Sequence, residues 1–143
     1  MEIPPPFSVR SARHHFRNLL GIVRGFSEIL KEGLDPAVSD LSHYEFMIES
    51  SDRIQQFVDR VLCSDEILKR HEWREPFQIN VEHDIKSIQK TVEGLILLDS
   101  DPEKALIRSD LGKIESATAE VLAYTQDFIS HCTDRDLKKR TDT

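Results

Sequence analysis

Arg13-His14-His15-Phe16-Arg17-Asn18-Leu19-Leu20-Gly21-Ile22-Val23-Arg24-Gly25-Phe26-Ser27-Glu28-Ile29-Leu30 is the stretch whose reading decides the fold. Phe16, Leu19, Leu20, Val23, Phe26 and Leu30 recur at the three-and-four spacing of a helix with one buried face. With helical residues about 100° apart, His14 points away from that face. Asn18 lies one turn further on, and Gly21 and Gly25 continue the same exposed stripe. Arg17, Arg24 and Glu28 flank it. A histidine above a strip of small residues leaves room for another protein to approach its imidazole, as a phosphoacceptor histidine requires.

Outward from this stretch the chain divides into helices. Pro4-Pro5-Pro6 gives an extended start. The periodicity predicts a first helix over Val9 to Glu32, stopped at Gly33. Asp35-Pro36 marks a turn, with Pro36 suited to a helix's first position. A second helix is predicted over Pro36 to Lys69, with Tyr44, Met47, Ile48, Ser51, Ile54, Phe57, Val58, Val61 and Leu62 as its buried seam. His71-Glu72-Trp73-Arg74-Glu75-Pro76 breaks the pattern and reads as a linker, with Trp73 covering one end of the fold.

Then the pattern begins again. Pro76-Phe77-Gln78-Ile79 echoes Pro6-Phe7-Ser8-Val9, and His83-Asp84-Ile85-Lys86-Ser87-Ile88 echoes His14-His15-Phe16-Arg17-Asn18-Leu19. His83 and Gly94 follow His14 and Gly25 at the same offset of 69 residues. Asp101-Pro102 follows Asp35-Pro36 at 66, which predicts a third helix about three residues shorter than the first. In a fourth helix, Leu111, Ile114, Val121, Tyr124, Phe128 and Ile129 repeat the second helix's seam at an offset of 67. One helical hairpin cannot bury both its apolar faces, whereas two close a bundle. The expected fold is therefore all-α: an antiparallel four-helix bundle of two tandem hairpins, a pseudo-dimer within one chain. Its expected parts, in a single domain, are hairpin one at about 6–70, a linker at 71–75, hairpin two at about 76–137 and a frayed tail at 138–143.

The opening stretch resembles the H-box of the histidine-kinase dimerisation and phosphoacceptor domain. His14, Phe16, Arg17, Asn18, Leu20, Gly25, Phe26, Glu28 and Leu30 fall in step with that family's pattern. Two positions depart from it. His15 stands where the family carries an acid, and Leu19 where it usually carries a proline that bends the helix. The resemblance implies a four-helix bundle, which kinases reach by pairing two identical chains. It also implies partners from two-component signalling: a response-regulator receiver domain, a histidine kinase, or both.

Under that resemblance His14 and His83 are both candidate phosphoacceptors, because a neutral imidazole nitrogen is a good nucleophile near neutral pH. His14 keeps Arg17 and Asn18 but lacks the neighbouring acid. His83 keeps the acid, as Asp84, with Lys86 and Ser87 in place of Arg17 and Asn18. Arg17, Asn18, Gly21, Gly25, Lys86 and Ser87 are the candidate docking residues. Phosphoryl transfer asks mainly for positioning and charge neutralisation. No cofactor is expected on this chain, since Mg²⁺ would come with the receiver. The five glycines form no phosphate-cradling loop, so a relay rather than an autonomous kinase is expected. The alternative is a non-catalytic scaffold or signal-transmission bundle.

Composition bounds these readings. The chain has 143 residues, 38% of them hydrophobic and 31% charged, which suits one ordered domain. A net charge of −7 argues against a nucleic-acid partner. No apolar run has the length of a membrane span, and the proline-rich start lacks the positive segment of a signal peptide, so a cytoplasmic location is expected. Cys63 and Cys132 form no metal or redox spacing and read as free thiols, with a disulfide as the alternative. His71-x-x-x-Glu75 ends in the linker, and no metal site is expected. A bundle closed within one chain predicts a monomer, with a homodimer as the alternative.

Overall fold

The computed structural model describes residues 8–37, 41–98 and 105–141. Four helices carry the fold: α1 (Val9–Glu32), α2 (Ser42–Val61), α3 (Arg74–Leu98) and α4 (Ala105–Thr141). A short 3₁₀ turn, Asp65–Lys69, lies between α2 and α3. Helix α1 packs on α2 and α4, and α3 packs on the same two, so α1 and α3 stand diagonally across an antiparallel bundle.

Helix α1 starts where the sequence supplies a cap. The Ser8 hydroxyl accepts a hydrogen bond from the Ser11 backbone N–H at 3.1 Å. A second cap comes from far along the chain: Asp65 Oδ1 accepts from Val9 N at 3.1 Å. Together they satisfy two of the four amides that a helix start leaves open. The helix runs unbroken past Leu19, which is buried, and stops at Gly33, whose N–H donates to the Ile29 carbonyl.

The core repeats in the register that the sequence repeats. Ala12, Phe16, Leu19 and Val23 are buried on α1, and Val81, Ile85, Ile88 and Val92, 69 residues later, are buried on α3. Every buried position of α2 (Tyr44, Met47, Ser50, Ser51, Ile54 and Val58) is matched 67 residues later by a buried residue of α4: Leu111, Ile114, Ala117, Thr118, Val121 and Thr125. The buried hydroxyls are accommodated within their own helices. Ser27, Ser51 and Thr125 each donate to the carbonyl four residues earlier, which avoids the cost of an unsatisfied buried group.

An aromatic cluster fills the end of the bundle where α1 and α3 begin. Phe16 meets Phe77 and Tyr124 edge-on, at centroid distances of 5.9 and 5.2 Å. Trp73 lies edge-on to Phe77 and tilted against Phe128, and its indole N–H donates to the Arg70 carbonyl. The expected role of Trp73 as an end cover fits this placement.

Three boundaries differ from expectation. The second helix does not run from Pro36 to Lys69. Its start lies at Ser42, after a turn in which Asp35 Oδ1 accepts from Ala37 N. It ends at Val61: Leu62 leaves the helical region, Ser64 is extended, and the 3₁₀ turn follows. This break buries Leu68 and delivers Asp65 to the start of α1. The predicted linker is partly helix, because α3 begins at Arg74. Pro76 is tolerated there, since the first-turn amides have no helical acceptor to lose. In the repeat register α3 does end three residues before α1, but its earlier start makes it 25 residues long against 24. Helix α4 extends to Thr141. Pro4 to Phe7 and Asp101-Pro102 lie outside the described residues.

Candidate functional site

The outer face of α1 is assembled by helix geometry alone. Phe16, Leu19, Leu20 and Val23 turn inward, so His14, Asn18 and Gly21 are exposed on the opposite side. His14 borders an open depression of about 620 Å³ whose other walls are Ser8, Arg10, Ser11, Arg13 and Arg17. A Cβ added at Gly21 or Gly25 would meet nothing within 4 Å, so the space over this stripe is empty. Gly94, the counterpart of Gly25 on α3, is equally open.

The flanks of α1 point in different directions. On the α2 side, Arg17 lies 3.7 Å from Asp59, Arg24 lies 3.0 Å from Asp52, and Lys31 lies 3.4 Å from Glu45. These pairs form a ladder: each seven-residue step along α1 meets a seven-residue step back along α2. That spacing is the flanking-charge pattern of a coiled coil. The ladder escapes a motif reading, although Arg17, Arg24, Lys31 and Glu45, Asp52, Asp59 are visible as two heptad series in the chain. On the α4 side, the His15 ring packs on Tyr124 with centroids 4.2 Å apart. Burial pushes the Tyr124 phenol up to about 12, so it stays protonated at neutral pH. His15 therefore fills the position next to His14 with an aromatic packing contact rather than a carboxylate.

The second candidate face has the same frame and different fittings. His83 is exposed on α3. The Asp84 carboxylate lies 3.7 Å from the Arg53 guanidinium of α2. Ser87 turns its hydroxyl back to the His83 carbonyl at 3.1 Å, while Lys86 is exposed. Because α1 and α3 are diagonal, the outward-facing His14 and His83 sit on opposite sides of the bundle. The structure gathers His14, Arg17, Asn18 and Gly21 with Gly25 on one face, and His83, Asp84, Lys86 and Ser87 on another. It does not bring the two sets together.

Elsewhere, Cys63 is exposed and Cys132 buried, both as free thiols. Among the described residues no group of three or more His, Cys, Asp or Glu side chains comes together as a metal site would require, and no helix is long and apolar enough to cross a membrane.

Comparison with known proteins finds a relative among the sensory kinases. Over 130 residues the chain is 28% identical to the sensory histidine kinase/phosphatase NtrB of Vibrio alginolyticus, a match covering 86% of this chain and 35% of that protein. The chain thus corresponds to about a third of the relative's length. No family model and no solved structure matches it. The all-helical fold and this partial similarity together describe a helical domain related to part of a histidine kinase.

Proposed function

We propose that this bundle is a two-component signalling module that exchanges a phosphoryl group with a receiver domain through an exposed histidine. The observation that carries the reading is His14: solvent-facing, set above the empty space over Gly21 and Gly25, and bordered by Arg10, Arg13 and Arg17. The similarity to a sensory histidine kinase/phosphatase supports the same class.

The chemistry is simple for the protein. The unprotonated imidazole nitrogen of His14 attacks the phosphorus of a receiver's aspartyl phosphate. The N–P bond forms as the P–O bond to the aspartate breaks, and the aspartate leaves as a carboxylate with the bonding pair. The proton remaining on the imidazolium passes to water. The reverse reaction loads the receiver. Arginines one turn before and after His14 would offset the phosphoryl charge, and Mg²⁺ would be held by the receiver's own carboxylates.

A second reading, a non-catalytic scaffold, is favoured by one observation. The residue next to His14 is His15, packed on Tyr124, where the kinase pattern has an acid. Phosphoryl transfer from phosphorylated receivers onto wild type, His14→Ala, His83→Ala and the double variant separates the two. Acid-labile label lost only with His14 is expected. Receiver binding without label on wild type would leave the scaffold.

A further inference from the structure

We propose that the bundle engages one receiver at a time, through the basic face of α1 around His14, and leaves the matching face of α3 unused. The inference rests on the receiver-docking reading and concerns which of two quasi-equivalent surfaces serves it.

The two faces can be compared residue by residue in the 69-residue register. Around His14 stand Arg10 one turn before, Arg13 beside it and Arg17 one turn after. At the corresponding places around His83 stand Ile79, Glu82 and Lys86. Three cations on the first face become one cation, one anion and an apolar residue that is 58% exposed on the second. Helix α1 carries no acidic residue before Glu28, in a chain whose net charge is −7. The first half of α1 is therefore a locally basic surface on a molecule of net negative charge.

A receiver presents the opposite sign. A site that holds Mg²⁺ does so with carboxylates, and a phosphoryl group adds further negative charge. Such a surface is attracted to Arg10, Arg13 and Arg17, and attraction of this kind raises association rates by roughly ten- to a thousandfold. On α3 it would meet Glu82, and juxtaposed like charges suppress docking. Asp84 changes this balance little, because its carboxylate lies beside the Arg53 guanidinium. Arg17 lies beside Asp59 yet its side chain keeps 63% exposure, so it remains accessible to a partner.

Stoichiometry tests the inference. The full chain would be titrated calorimetrically, with Mg²⁺ present, against a panel of isolated receiver domains. Circular dichroism would confirm that each variant is folded. Wild type is expected to bind one receiver per chain, with affinity falling as salt rises. Arg10→Glu with Arg13→Glu should weaken binding roughly tenfold or more. Ile79→Arg with Glu82→Arg, which gives α3 the charge pattern of α1, should recruit a second receiver. Two receivers on wild type, unchanged binding in the first variant, or no second receiver on the second variant would each overturn the one-sided assignment. Binding by no receiver in the panel would instead overturn the docking reading, and the one-sided assignment with it.

Discussion

The two hairpins share a core and differ at their surfaces. In the first, α1 and α2 are laced by three opposite-charge rungs: Arg17–Asp59, Arg24–Asp52 and Lys31–Glu45. In the second, the positions corresponding to the first two rungs hold Lys86 and Glu93 on α3, and Gln126 and Ala119 on α4. Neither of these positions pairs opposite charges. Yet four buried positions of α1 and all six of α2 have buried counterparts in the second hairpin. The fold depends on the repeated apolar pattern, and the charged fittings were free to diverge.

That contrast can be pressed hardest in the core. Phe16 and its counterpart Ile85 are both fully buried. Phe16→Ala should cost about 3–5 kcal/mol and Ile85→Ala about 2–5 kcal/mol in denaturant unfolding. If one substitution proves nearly neutral, the hairpins do not share the load and the comparison fails. A smaller effect is expected at the cap that Asp65 places on α1. Removing the Asp65 carboxylate with Asp65→Ala should cost about 1 kcal/mol, with faster amide exchange at the first turn of α1 as the local sign. The ladder should matter least. A double-mutant cycle on Arg24 and Asp52, both nearly half exposed, should give a coupling of about 0.2–1 kcal/mol that shrinks with salt. A larger, salt-insensitive coupling would show that the rungs, rather than the core, set the first hairpin apart.

Most of the architecture can be read from the chain because each helix must bury one stripe. Phe16, Leu19 and Val23 announce α1, and their echoes at Ile85, Ile88 and Val92 announce α3. The end of α2 cannot be read this way. Apolar residues continue through Leu62, Ile67 and Leu68, so the pattern persists while the backbone breaks. What stabilises the break is tertiary: Asp65 finds the first amide of α1, and Leu68 finds a buried place against the bundle. The start of α3 is obscured for a related reason. Pro76 suggests a boundary, but a proline in the first turn costs a helix little, and burial of Trp73 and Arg74 draws the chain into place earlier.

The candidate site divides along the same line. The exposure of His14 and His83 follows from helical phase alone. Their inequality rests partly on neighbours that the chain displays, such as Arg10 against Ile79. It also rests on contacts that only packing creates. Asp84 looks like a helper for His83 until α2 brings Arg53 to it, and His15 gains its aromatic contact only when α4 supplies Tyr124.

Closing four helices within one chain has a final consequence. A bundle assembled from two copies must display every surface residue twice, and it falls apart on dilution. Here the second hairpin is tethered to the first, so the two halves meet at a high effective concentration within one chain. A substitution at one histidine face leaves the opposite face untouched. Joining the halves releases them from enforced symmetry, so the two outer faces can differ in charge and shape while the shared core is kept.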